Sequence, residues 1–316
     1  MSRVPVMGDD LPATMRAMLG DEFELLPWDD GLGSAALARV EGLITYGHPR
    51  VDGPLLERAP NVRVVSNHGV GVDHIDVAAC AARNVAVGNT PGVLDAATAD
   101  MTFALLLAIA RNVVVGDAYA RSDRFTHYDP SHMIGREVTG STLGIIGLGR
   151  IGRQVARRAR GFDMRVLYYG RHRQPAAEQT LGVDYAPLDD LLARSDFVTL
   201  NCPLTEATRN LIGRDQLRMM KPTAFLINMA RGGVVDHAAL VDALTAGTIA
   251  GAALDVTEPE PLPRNHPLLA LSNVVIAPHL GSASDRTRRR MQEMTVENLR
   301  AGLRGEPLPY QVRPAP

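Results

Sequence analysis

The segment from Leu143 to Arg160 constrains this chain most. Leu143-Gly-Ile-Ile146 is an apolar, strand-like run, Gly147-Leu148-Gly149-Arg150-Ile151-Gly152 follows it directly, and Gln154–Arg160 is amphipathic. Glycines at that spacing between a strand and a helix have separate tasks. The first makes the tight turn, the second lets backbone approach a pyrophosphate, and the third lets the helix pack closely. The helix N-terminus then faces the phosphate charge. Gly-x-Gly-x-x-Gly alone is a weak signal, and its setting between strand and helix gives it weight. Gly147, Gly149, Arg150, Ile151 and Gly152 are therefore candidate cofactor contacts.

The rest of the 316 residues repeats the same alternation of short apolar runs and amphipathic stretches. That pattern reads as α/β with parallel sheets. Strands are expected at Val4–Met7, Phe23–Leu26, Gly42–Tyr46, Val62–Ser66 and Val85–Val87. A second set is expected at Leu143–Ile146, Arg165–Tyr169, Phe197–Leu200, Ala224–Asn228, Ala252–Val256 and Asn273–Ala277. Between the two sets lie one long helix, about 94–121, and a polar, aperiodic loop over 122–139. Two strand sets imply two doubly wound units. The expected division is a first domain over 1–98 and a nucleotide domain over 99–283. A last helix over about 284–303 is permitted to return to the first domain, so that 284–316 completes it. The Pro-rich tail Pro307–Pro316 reads as a surface strap.

Composition removes several classes of function. Of 33 Lys and Arg residues only Lys221 is lysine, so there is no Gly-Lys-Ser/Thr phosphate loop and Schiff-base chemistry is a poor fit. A fixed positive charge in an active site here comes from arginine. A net charge of −2 gives no case for nucleic acid or an anionic membrane as partner. The longest apolar run, Phe103-Ala-Leu-Leu-Leu-Ala-Ile-Ala110, falls far short of the ~20 residues a membrane span needs. Cys80 and Cys202 have no metal-type or disulfide-framework spacing, which points to a reducing cytoplasm and to no metal.

The strand after the glycine motif ends in Tyr169-Gly170-Arg171-His172-Arg173. A carboxylate at this place would accept the ribose 2′-hydroxyl of NAD, whereas arginine suits a 2′-phosphate. No carboxylate stands in that segment, so Arg171 and Arg173 point to NADPH, with NADH possible and solvated loop charges as the plainer reading.

Three later strands end in chemistry-bearing residues: Arg231 after Ala224–Asn228, Glu258 and Glu260 after Ala252–Val256, and His279 after Asn273–Ala277. Open α/β sheets place ligands at these strand ends, so residues far apart in sequence can share one crevice. The set suits reduction of a 2-oxo acid. Histidine donates a proton near neutral pH, a carboxylate beside it favours the imidazolium, and arginine grips the carboxylate of the acid.

Phe225-Leu-Ile-Asn-Met-Ala-Arg-Gly-Gly-Val-Val-Asp236, Gly251-Ala-Ala-Leu-Asp-Val256 and Ala277-Pro-His-Leu-Gly-Ser282 resemble the D-isomer-specific 2-hydroxyacid dehydrogenases. Asp255-Val-Thr-Glu-Pro-Glu-Pro-Leu-Pro263 and Ala301-Gly-Leu-Arg-Gly-Glu-Pro307 look most like the glyoxylate/hydroxypyruvate reductases among them. The likeness runs from about Ser66 to Pro309. It implies a Rossmann-type nucleotide domain beside a flavodoxin-like substrate domain, and Arg231, Glu260 and His279 as catalytic residues. Glu260 rather than Glu258 follows from the family's count of five residues past the strand aspartate. Asp255 then holds the nicotinamide carboxamide, with a strand-end cap as the rival role. Thr98, Leu204, Thr205, Met229 and Gly281 fall at cofactor positions. Ser66-Asn-His-Gly-Val-Gly-Val-Asp73 resembles the substrate loop, in which N–H groups of Val70 and Gly71 bind the substrate carboxylate; an ordinary turn is the alternative. Tyr46 is a candidate for substrate size selection. A small 2-oxo or 2-hydroxy acid and a second copy in a homodimer are the implied partners. A larger 2-oxogluconate-type substrate, or a non-catalytic NAD(P)-sensing protein on the same fold, stays open.

Overall fold

Strands whose residues are apolar at successive positions need cover on both faces, and that requirement organises both sheets. The computed structural model describes residues 3–8, 11–28 and 32–313. They form two units, one running to Leu94 and resuming at Ser284, the other spanning Asp95–Ala283. The division falls before the helix Asp95–Ala110 rather than after residue 98, because that helix begins at Asp95 and belongs whole to the second unit.

The first unit carries β1 (Val4–Met7), β2 (Phe23–Leu26), β3 (Gly42–Thr45), β4 (Val64–Asn67) and β5 (Ala86–Gly88), all parallel, in the order β2-β1-β3-β4-β5. This is the flavodoxin-like order, whose reversal point lies between β1 and β3. Alternation along the strands feeds two cores. Met7, Leu43, Val65 and Val87 face one, while Val6, Ile44 and Val64 face the other. The helix Asp285–Leu303 packs on β3, β4 and β5, and its Val296 and Leu299 complete the second core.

The second unit carries β6 (Thr142–Ile146), β7 (Arg165–Tyr169), β8 (Asp184–Tyr185), β9 (Phe197–Leu200), β10 (Phe225–Asn228), β11 (Gly251–Leu254) and β12 (Val274–Ile276). They are parallel in the order β12-β11-β10-β9-β6-β7-β8, a Rossmann arrangement that reverses between β6 and β9. Here too the faces separate: Leu143, Ile145, Tyr168 and Ile227 enter one core, and Ile146, Leu167 and Leu226 the other.

Three expectations change. The helix expected over 94–121 is two helices, Asp95–Ala110 and Val113–Ala120, bent by 59°. The break is at Asn112, whose φ of 55° is left-handed, a conformation asparagine tolerates better than most residues. β8 was not expected, because its two residues are both exposed and carry no apolar run. The tail is partly bonded to the first sheet: Gln311 makes an isolated antiparallel bridge to Gly88, and Val312 N–H donates to Val87 O at 2.8 Å. Residues 314–316 of the expected strap lie outside the described residues. Among the described residues no single helix is long and apolar enough to cross a membrane.

Candidate active site

At the end of β6 each glycine of the motif has a physical reason. Gly147 has φ of +100°, and a Cβ there would stand 2.7 Å from the backbone N of Cys202, just past β9. A Cβ on Gly152 would stand 2.2 Å from Gly147 O, so helix and turn touch only because it is absent. Gly149 differs, since a Cβ there meets nothing within 4 Å. It is the N-cap of Arg150–Ala159 and offers no side chain to the first N–H groups of that helix. Those donors, with the positive end of the helix dipole, form a cradle that fits a dinucleotide pyrophosphate. Arg150 turns away to Asp95 (Nε–Oδ2 2.8 Å), while Ile151 packs on the core.

The end of β7 holds a group the sequence reading had not placed. Arg171 is exposed, but Arg173 grips Glu178 with two bonds, Nε to Oε1 at 3.0 Å and Nη2 to Oε2 at 2.9 Å. Glu178 sits in the helix Pro175–Leu181 and also accepts from Tyr168 Oη at 2.6 Å. A carboxylate therefore does reach this region, brought back by the next helix and committed to Arg173 and Tyr168. Arg173 and the Tyr168 hydroxyl hold it below the ordinary glutamate range.

At the ends of β11 and β12, Glu260 Oε1 lies 2.7 Å from His279 Nδ1. His279 has φ of +56°, left-handed and costly for a side chain of this kind. Asp255 holds it there. Its carbonyl accepts from His279 N–H at 2.9 Å, and its carboxylate oxygens accept from Leu280 N–H at 2.6 Å and Gly281 N–H at 2.8 Å. Asp255 thus caps the histidine turn. Its burial pushes its carboxyl pKa up, and the two N–H groups oppose that shift. Glu258 is engaged elsewhere, with Arg209 at 3.1 Å.

Thr98, Met229, Asp255 and Gly281 converge: a Cβ on Gly281 would meet the other three at 3.0–3.4 Å. Arg231 precedes the turn Gly232–Val234 after β10. Asn228, fully buried at the end of β10, shapes that approach by accepting from Ala230 N–H at 3.0 Å and donating to Arg231 O at 2.9 Å. Sequence reasoning missed it, because a polar residue closing an apolar strand reads as a turn residue. Leu204 packs on the core past β9, and exposed Thr205 bonds to Thr208.

In the first unit the loop after β4 is held by its carbonyls. Asn67 Nδ2 donates to Gly69 O at 3.0 Å and Gly71 O at 2.9 Å, and Asn89 Nδ2 donates to Val70 O at 2.9 Å. Thr45 Oγ1 donates to Asn67 Oδ1 at 2.7 Å, which fixes the Asn67 amide. With three successive carbonyls bound, the N–H groups of Val70 and Gly71 have no protein acceptor among the described hydrogen bonds. Neither Gly69 nor Gly71 has positive φ, so the loop owes its shape to asparagine amides rather than to left-handed glycine. The Tyr46 ring, just past β3, lies 4.9 Å from the His68 ring, tilted by 33°. His68 is buried, and burial with Arg288 and His48 nearby lowers its pKa to about 4.

The family model for the D-isomer specific 2-hydroxyacid dehydrogenase NAD binding domain matches residues 103–281. A glyoxylate reductase of Korarchaeum cryptofilum is 48% identical over 304 residues, covering 94% of this chain and 92% of its own length. One from Pyrococcus horikoshii is 48% identical over 307 residues with the same coverage. A solved NADPH-dependent glyoxylate/hydroxypyruvate reductase of Sinorhizobium meliloti, in complex with NADP and malonate, superposes with a TM-score of 0.88 at 34% identity, covering 98% of this chain and 97% of that one. With its flavodoxin-like first unit and Rossmann second unit, this chain belongs to the D-isomer-specific 2-hydroxyacid dehydrogenases.

Proposed function

We propose that the protein reduces a small 2-oxo acid, glyoxylate or hydroxypyruvate, to the D-2-hydroxy acid with NADPH. The observation that carries this reading is the Glu260–His279 pair at 2.7 Å, in the same unit as a glycine cradle shaped for a pyrophosphate. The names of the glyoxylate reductase relatives point the same way.

Gly147, Gly149, Gly152 and the N-terminus of Arg150–Ala159 would hold the dinucleotide phosphates, and Thr98, Met229 and Gly281 would line the nicotinamide end. When bound, the nicotinamide supplies the hydride. His279 holds a proton at Nε2 for the substrate oxygen, and Glu260 on Nδ1 fixes the orientation of the ring. Arg231 binds the substrate carboxylate and polarises its carbonyl. Within the first unit, the N–H groups of Val70 and Gly71 are the candidate donors to a substrate carboxylate, and Tyr46 is the candidate for limiting substrate size. Arg171, open to solvent, takes the 2′-phosphate. Arg173 joins it only by exchanging Glu178, which makes the preference for NADPH over NADH moderate.

Exposed Val113, Val114, Phe125, Tyr128 and Ile134, on the second helix after the bend and the loop beyond it, support a homodimer formed by this apolar face. Two free cysteines suit a cytoplasmic setting.

A panel of 2-oxo acids assayed with both cofactors tests the function. The expected result is oxidation of NADPH on adding glyoxylate or hydroxypyruvate, with kcat/KM above that for NADH. Equal values would remove the cofactor preference, and no turnover of any 2-oxo acid would remove the function. His279→Ala should lower kcat by about 10²–10⁴-fold while cofactor affinity persists. Near-wild-type turnover would reject His279 as the acid.

A further inference from the structure

We infer that the C-terminal segment positions the substrate loop through a three-residue relay, Tyr310–Asn298–Asn89, and so sets the affinity for the 2-oxo acid. The inference rests on the proposed role of the Val70 and Gly71 N–H groups.

Each link is a hydrogen bond within the first unit. Tyr310 N–H donates to Asn298 Oδ1 at 3.1 Å, and Asn298 Nδ2 donates to Asn89 O at 3.0 Å. Asn89 N–H donates back to Tyr310 O at 3.0 Å, and Asn89 Nδ2 donates to Val70 O at 2.9 Å. The backbone partners fix the Asn298 amide, since only its oxygen can take the Tyr310 N–H and only its nitrogen can reach a carbonyl. Asn298 is fully buried in the helix Asp285–Leu303, where an unpaired amide would be costly. Gly88 makes room for it, because a Cβ there would stand 2.6 Å from Asn298 Cγ. Outside the relay, Arg290 anchors the tail. It donates to the Tyr310 hydroxyl at 2.8 Å and pairs with Glu293 and Glu297.

The consequence is directional. Asn67 also holds the loop, but from within it, on Gly69 and Gly71. Asn89 alone reaches the Val70 carbonyl from outside, and its own backbone is bonded to the tail and to the last helix. Turning the Val70 carbonyl swings the Val70–Gly71 peptide plane and with it the Gly71 N–H. Asn89, Asn298 and Tyr310 are positioning residues, because none of them needs to touch substrate.

The test uses the full chain, glyoxylate as substrate and hydrogen exchange of the Asn89 and Thr90 amides, which donate to Tyr310 O and Gly69 O. Asn89→Ala should raise KM for glyoxylate about tenfold, with kcat within about twofold and cofactor KM unmoved. Asn298→Ala should act in the same direction, and the double variant should lose no more than the larger single loss, as links in series require. Exchange at Asn89 and Thr90 should quicken in both without global unfolding. Should Asn89→Ala not fold, Asn89→Ser and Asn298→Ser carry the same readouts. An unchanged glyoxylate KM with unchanged exchange at those two amides overturns the relay, as does a loss shared equally by glyoxylate and cofactor. If the wild type reduces no 2-oxo acid, the functional reading fails, while the exchange arm still decides whether the relay holds the loop.

Discussion

Two glycine-containing loops, one in each unit, look alike in sequence and are built on different physics. After β6, Gly147-Leu-Gly149-Arg-Ile-Gly152 presents N–H groups because its glycines allow a left-handed turn and a contact too close for any Cβ. After β4, Gly69-Val-Gly71 leaves N–H groups unbonded because asparagine amides occupy its carbonyls. One loop is set by what its own backbone can do. The other is set by side chains outside the glycines. A glycine-rich stretch is therefore no single kind of evidence for an anion site, and the two loops should respond differently to the same substitution.

The largest expected effect comes from alanine at the glycines themselves. Gly152→Ala pushes a methyl group to 2.2 Å from a backbone carbonyl. It should cost on the order of 3 kcal/mol of stability and weaken cofactor binding by about 100-fold or more, read by thermal unfolding and cofactor titration. Gly69→Ala places its methyl at 3.5 Å from Asn67 Nδ2, an ordinary contact on unstrained backbone. It should leave stability within about 0.5 kcal/mol of wild type. Comparable losses in the two variants would erase the distinction.

A middle-sized effect should follow from removing the side chain rather than the glycine. Asn67→Ala frees the Gly71 carbonyl, leaves the Gly69 carbonyl to the Thr90 N–H alone, and leaves the Thr45 hydroxyl without its acceptor. The expected loss is about 1–3 kcal/mol in stability, together with a raised glyoxylate KM and an unmoved cofactor KM. If cofactor KM rose as much as glyoxylate KM, the loop would be acting on the whole molecule and not on substrate.

The same contrast explains what the sequence made legible. Apolar runs placed eleven of the twelve strands among the described residues close to where they lie, and the glycine motif carried its own geometry in its spacing. Glu260 and His279 were readable because the strand ends that bear them are marked by long family-like stretches. Asn67, Asn89 and Asn228 were not, since an asparagine at a strand end looks like any turn residue until its amide has partners. Glu178 was missed for a related reason. The eye stops at the end of β7, whereas the helix that follows brings the carboxylate back to Arg173 and Tyr168. Asn112 broke a helix that periodicity alone carries through.

The smallest effect separates the loops by pH. The loop after β6 contains no histidine or carboxylate, whereas the other begins beside buried His68. His68 Nδ1 faces Thr295 Oγ1 at 3.3 Å, and that hydroxyl already donates to Met291 O at 2.8 Å, so Nδ1 carries the hydrogen and Nε2 stays a bare acceptor. Protonation would bury a second N–H without an acceptor, next to the Arg288 charge. With its folded pKa near 4 and 6.5 as its ordinary value, His68 binds a proton in the unfolded chain before it does in the native one. Stability must then fall as pH falls through this window, by about 0.7 kcal/mol between pH 7 and pH 6. In that interval the figure depends on the ordinary value and hardly on the folded one, because the native ring is neutral throughout. His237, also lowered by burial, contributes in the same direction from the second unit. The measurement is therefore the difference between wild type and His68→Gln in urea unfolding at the two pH values. The variant should show a shallower decline by that amount, and parallel declines would mean that His68 titrates normally.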